Sequence, residues 1–199
     1  MRPPGARALA CALSLAPLGC AAHGLGPGGL VNGLLHPIGG ADHMLAMLGV
    51  GIVSAKLGGR WLWLLPSIFL AAMAGGFSAG LADPTEGARQ ASEWGILLSV
   101  LLLGVLTSIP KEHVPRLASL AATALFGFAH GHAHGTELPG QTSPWAFSAG
   151  FLLASAGFHM MGAIVGLLCE QHRKPARNFA AVGAFVGLAG AVLAARAGL

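Results

Sequence analysis

Apolar residues run almost unbroken through six stretches of the chain, roughly 29–55, 61–82, 93–109, 115–135, 145–169 and 178–197, and charged residues collect between them. A helix rises about 1.5 Å per residue, so about 20 apolar residues cross the hydrocarbon core of a bilayer. The pattern predicts an all-α polytopic membrane protein, a bundle of six transmembrane helices joined by short loops. Residues 1–22 have a different shape: Arg2 and Arg7, a short apolar run from Ala8 to Ala16, then Cys20-Ala21-Ala22. That is the order of a cleavable signal peptide, which makes His23 the first residue of the mature chain and 23–199 the six-span domain.

Composition agrees. Of 199 residues, 54% are hydrophobic and 9% charged, and the mean hydropathy of +0.70 is too high for a soluble domain. No nucleic-acid partner is expected; lipid is. Of the three cysteines, Cys11 and Cys20 leave with the signal and Cys169 stays alone, so the mature chain has no structural disulfide. If the signal places residue 23 outside, the first, third and fifth loops face the cytoplasm. These hold Lys56, Arg60, Lys111, Arg116, Arg173, Lys174 and Arg177, against Arg89 and Arg196 on the other side. Seven against two satisfies the positive-inside rule for a bacterial inner-membrane protein with a periplasmic N-terminus. The outer loops carry Asp83, Glu86, Glu93 and Glu137, which favours approach of cations. Trp61, Trp63, Trp94 and Trp145 lie near span starts, as interfacial anchors do.

The unusual chemistry lies inside the apolar runs. In the first, Pro37, Gly39 and Gly40 interrupt the helix between His36 and Asp42-His43, and backbone breaks at membrane depth line a cavity or are buried in protein. The fourth ends in FGFAHGHAHGTELPG, where His130 and His134 fall about 40° apart around a helix and His132 nearly opposite. Glu137 follows within a turn, and His159 lies mid-way through the fifth run between Phe158 and Met160. The first and fourth spans run in opposite directions, so both histidine stretches reach the outer half of the membrane. Met44, Met47, Met160 and Met161 are expected to pack, and His113 and His172 to be solvated in cytoplasmic loops.

An ionised aspartate at the bilayer centre costs about 2.5–3.5 kcal/mol, so Asp42 needs a partner. No Lys or Arg lies in the interior of a predicted span. Neutral imidazoles or a bound cation remain, and a carboxylate among imidazoles suits a divalent transition metal such as Ni, Co, Zn, Cu or Fe; ligand type alone does not choose among them. The candidate metal residues are His36, Asp42, His43, His130, His134, Glu137 and His159, with the amine and imidazole of His23 as a chelate at the mouth.

HPIGGADHMLAMLGVG, FGFAHGHAHGTELPG and GFHMMG together closely resemble the HupE/UreJ family of hydrogenase and urease accessory proteins, regarded as nickel permeases. His36 followed by Asp42-His43 is also similar to the shorter-spaced His-Asp-His motif of another nickel/cobalt permease family. The resemblance implies passage of Ni2+, with Co2+ as a second ion, from periplasm to cytoplasm to supply a nickel enzyme. It implies that His36, Asp42, His43, His130, His134 and Glu137 are required for that passage, and it carries His132 only weakly. No organic cofactor and no enzymatic activity are expected, and a homo-oligomer is compatible with the sequence. The alternatives are an intramembrane metal hydrolase with Glu137 as general base, a haem-binding electron carrier, and a metal sensor or chaperone without flux.

Overall fold

The structure, a computed structural model, describes residues 29–140 and 142–198. The expected signal segment and His23 lie outside the described residues, which contain helices and turns and no strand. The helices are α1 (Gly29–Leu35), α2 (Ala41–Leu57), α3 (Trp61–Ala82), α4 (Glu86–Ser108), α5 (Arg116–Thr136), α6 (Pro144–Gln171) and α7 (Pro175–Arg196). Of these, α3, α4, α6 and α7 are each long and apolar enough to cross a membrane, and α1 with α2 makes a fifth crossing if the pair is one broken span. The sixth expected span, α5, has 21 residues but drops out of that count. Its last ten residues hold three histidines and three glycines, which lower its hydropathy.

The break expected between His36 and Asp42 is present. His36–Gly39 form a single 3₁₀ turn with Pro37 near its start, Gly40 is extended, and the axes of the two halves differ by 87°. Proline lacks the N–H that would continue α1, and the chain restarts as α2 when Asp42 Oδ1 accepts the backbone N–H of His43 at 2.8 Å. At its other end, α2 turns into α3 through Gly58 and Gly59, both at positive φ, a region open to glycine at little cost.

Glycine sets how the helices pair. On α5, Gly127, Gly131 and Gly135 recur every four residues and lie directly on the backbone of Phe69, Met73 and Phe77 of α3. Gly76 and Gly80 return the contact against Phe128 and His132. Both residue series rise together, so α3 and α5 run parallel and nearly touch, as small residues at four-residue spacing allow. Gly33, Gly51, Gly150, Gly162 and Gly166 do the same between the first span and α6, again in parallel. Gly104 against Gly187 and Gly183 joins α4 to α7 antiparallel. Successive helices therefore alternate in direction. One end of the bundle gathers the start of α2 and the end of α5; the far end gathers the seven basic residues.

Buried Phe69, Met73, Phe77, Phe147, Phe151 and Met47 fill the middle. Leu125, Leu153, Phe185 and Leu188, all exposed, form an apolar exterior suited to lipid. Trp63 and Trp145 sit exposed at helix starts, as interfacial anchors do, but Trp61 is in the core. Met160 and Met161 point outward.

Two further expectations need correction. α4 begins at Glu86, not near 93. Its first two turns are charged, which hides them from a hydropathy reading, yet Arg89 pairs with Glu86 three residues back at 2.6 Å. Lys56, placed in a solvated loop by sequence, is instead in the last turn of α2 and only 2% exposed. Its Nζ donates to the carbonyls of Leu106 (2.9 Å), Thr107 (2.8 Å) and Ile109. These are orphan carbonyls at the C-terminal end of α4, where a cation is favoured by the helix dipole. Hydrogen bonds to a charged group contribute about 1.5–3 kcal/mol each, which offsets part of the cost of removing the ammonium from water.

Candidate metal centre

The pairing of α3 with α5 aims the histidines. With Gly127, Gly131 and Gly135 turned toward α3, His130 and His134, each one residue earlier, are rotated about 100° to one side, into the bundle, and His132 about 100° to the other. His132 meets α4, where its Nδ1 lies 2.9 Å from Ser92 Oγ. The Ser92 hydroxyl itself donates to Ala88 O, so the ring N–H of His132 donates to it. His132 is thereby satisfied outside the cluster.

His130 and His134 meet the broken first span. His36 and His134 ring centroids are 4.9 Å apart, His134 and His43 5.1 Å, and His43 and His130 5.2 Å. His36 Nε2 donates to Glu137 Oε2 at 3.0 Å. One ligand atom each from His36, His134 and Glu137 lies within 4.8 Å of the others, close enough to share one ion. His36, His134 and Glu137 thus form a group at ligand distance, and His43 and His130 stand next to it.

Hydrogen bonds orient the rings. His43 Nδ1–H donates to Asp42 Oδ1 at 3.0 Å, and His130 Nδ1–H to Phe126 O at 2.8 Å. Each Nε2 is left with its lone pair, and both are buried without a partner, as are both ring nitrogens of His134. Buried polar atoms are nearly always bonded. An imidazole held through one nitrogen by a carboxylate or carbonyl, with the other nitrogen open, is the form in which histidine binds a metal. Asp42 bonds to His43 and, like His43 and His130, lies outside the three-atom group of His36, His134 and Glu137. Asp42→Ala is expected to lower divalent-metal affinity about ten- to hundredfold without preventing folding, the usual effect of losing such an outer partner; titration of the purified protein checks it.

His159 is placed deeper. Its ring meets Phe69 edge-on at 5.0 Å, and Phe69 also meets His130 at 5.1 Å. Both nitrogens of His159 are buried and unpartnered. From Glu137 through His36, His134, His43 and His130, the rings form a column in steps of about 5 Å, and Phe69 stands between this column and His159. Phe69 gave no sign in the sequence, where it is one apolar residue among many. Glu93 was read as a loop charge. It is half-buried on α4, in a cleft of about 160 Å³ with Glu86, Arg89, Gln90 and Trp94, and its field reaches His43. Its spacing of four from Arg89 was the available sign.

Glu137 stands at the open end of the histidine column. Burial acts to raise its carboxyl, but the hydrogen bond from His36 and the fields of His36, His43 and Arg89 outweigh it, holding Glu137 below the ordinary carboxylate range. Asp83, exposed beyond α3, is lowered as well, by hydrogen bonding from Thr85. The mouth stays anionic at neutral pH. A larger cleft, about 610 Å³, lies at the far end along Lys111–Ala118, away from the histidines.

The family described as HupE / UreJ protein matches residues 9–193, a span that includes all the clustered side chains. The chain belongs to the HupE/UreJ family. Protein HupE of Rhizobium leguminosarum bv. viciae is 38% identical over 184 residues, covering 92% of this chain and 93% of the relative. No solved structure matches. In this HupE/UreJ chain, two segments that carried the resemblance, His36–His43 and His130–Glu137, supply the column, and the third brings His159 against Phe69 below it.

Proposed function

We propose that this chain is a six-span inner-membrane permease that takes up Ni2+, with Co2+ as a second ion, from periplasm to cytoplasm, supplying a nickel enzyme such as a hydrogenase or urease. The observation that carries the reading is the three-atom group of His36, His134 and Glu137 with His43 and His130 next in line, the ring nitrogens of His43, His130 and His134 being buried and open. Imidazole and carboxylate together suit a divalent transition ion. The basic residues at the far end support a cytoplasmic assignment for that end, with the histidine cluster outside. On this reading residues 1–22 are the signal, the mature chain begins at His23, and α5 is a span despite its histidines. Its polar turn faces the interior.

In the proposed cycle, the anionic mouth concentrates the ion, and Glu137 and His36 take it first. His134, His43 and His130 then exchange for its water, with Asp42 stabilising charge through His43. The ion passes Phe69 to His159 and leaves toward the cytoplasm. A divalent ion moving down an inside-negative potential gains about 4.6 kcal/mol per 100 mV, twice the single-charge value of about 2.3, so no proton coupling is needed for accumulation.

Radiolabelled nickel flux into proteoliposomes tests the proposal. Protons compete for the same ring nitrogens, so uptake should fall as external pH is lowered. Glu137, held low, remains a carboxylate throughout, and the loss belongs to the imidazoles. Flux independent of pH between 7.5 and 5.5, or no saturable nickel flux at all, counts against the reading.

A further inference from the structure

Among the described residues Lys56 is the one buried Lys or Arg, and the column of rings does not use it. It lies thirteen residues beyond His43 on the same helix, about 20 Å away at 1.5 Å per residue. Its ammonium touches no carboxylate. It is held by three backbone carbonyls at the end of α4 and lies 5.3 Å from the centre of the Phe179 ring of α7. Thr107, which supplies one carbonyl, also has its hydroxyl buried without a partner beside this seat. Phe179 packs in turn with Ile52 of α2 and Cys169 of α6. Lys56 therefore joins the far ends of α2, α4 and α7, and Phe179 extends the contact to α6.

We infer that Lys56 is a positioning residue for ion release, a latch whose seating in the α4 carbonyls keeps the far end closed and whose departure opens it. The inference rests on the transport reading. The seat is an oxygen cage of the kind that holds a desolvated cation, and it is filled by a cation tethered to the helix that bears the metal-binding His43. Because every acceptor is on one helix end, a shift of α2 along its axis by the length of a hydrogen bond breaks all three contacts together. Gly51, Gly162 and Gly166 lock α2 to α6, so the shift is one of α2 and α6 together against the end of α4. Glu112 and Glu170 lie within the field of Lys56 and can receive the ammonium once it leaves; Glu170 is meanwhile 3.5 Å from Lys111.

Cys169, 8% exposed in the cluster beneath Phe179, is a native reporter of the far end. In proteoliposomes of the full chain, modification of Cys169 by a water-soluble maleimide is followed by mass spectrometry of its peptide, with nickel binding and flux measured in parallel. Lys56→Met should leave the nickel dissociation constant within about twofold, speed metal-free modification of Cys169 at least tenfold, and raise downhill nickel flux at least threefold. Lys56→Arg keeps the charge but replaces a compact ammonium with a planar fork, and should speed modification about threefold. Nickel should accelerate modification of the wild type. A folded Lys56→Met chain with wild-type Cys169 reactivity and wild-type flux overturns the latch and leaves only a helix cap. If Lys56→Met does not assemble, Lys56→Arg decides by the same reactivity. Exposure of Cys169 in Lys56→Met while the wild type carries no nickel would remove the transport reading and keep the closure.

Discussion

Replacing His134 with alanine is expected to reduce saturable nickel uptake by about a hundredfold or more, beyond the ten- to hundredfold that follows loss of a ligand's outer partner. His134 is the centre of the cluster. Its ring is within 5.1 Å of both His36 and His43, it stacks on Phe151 at 4.8 Å, and it shares the three-atom group with His36 and Glu137. Its two nitrogens have no partner, so its removal strands no hydrogen-bonding group. A histidine kept for structure is bonded, and losing it leaves the partner unsatisfied at a cost of about 1–3 kcal/mol. His134→Leu should accordingly leave the metal-free protein as stable as the wild type or more so, because a desolvated imidazole is replaced by an apolar side chain of similar size. The pair of measurements, uptake in proteoliposomes and thermal unfolding in detergent without metal, separates the roles. His132→Ala is the control: its ring is spent on Ser92, and uptake should stay within about threefold of wild type, as for residues outside the site. Wild-type uptake in His134→Ala would remove the cluster as the binding site.

The second large effect is on assembly. Gly131→Leu should prevent the chain from accumulating as a folded protein. Any Cβ at 131 would fall on the backbone carbonyl of Met73, and backbone cannot turn aside as a side chain can. The α3 and α5 axes would have to separate, breaking the contacts of Gly127, Gly135, Gly76 and Gly80 as well. Overpacking a core costs about 1–3 kcal/mol where side chains give way, and more where they do not. Separation would also pull His130 and His134 off the register that brings them to His43. Gly75→Leu, one residue from Gly76 but with open space where its Cβ would stand, should accumulate normally. Size-exclusion of a fluorescently tagged chain reads both. Equal recovery of the two variants would mean that the helices do not rely on this contact.

Much of the site was legible because its cues are local. The break at Pro37 to Gly40 follows from a missing N–H and a residue without Cβ. The shared face of His130 and His134, and the opposed face of His132, follow from 3.6 residues per turn. Depth came from counting residues along two spans of opposite direction. The charges of Glu86 to Glu93 misled for the same reason: hydropathy detects lipid-exposed helix and is blind to a helical turn outside it.

The sequence by itself determined where the helices lie, how they alternate, which side chains share a face and which end is basic, because each depends on residues a turn or two apart. Only the tertiary structure decided which way each face turns. Contacts between backbones at Gly127, Gly131 and Gly135 rotate α5 so that its histidines meet His36 and His43; they also leave Phe69 between His130 and His159. Seating Lys56 in the end of α4, and turning Asp42 onto His43, likewise depend on groups about fifty residues apart or on the angle of a bend. A helix can be rotated about its own axis without changing any local preference, so the rotation is fixed by neighbouring helices rather than by the residues along its own length.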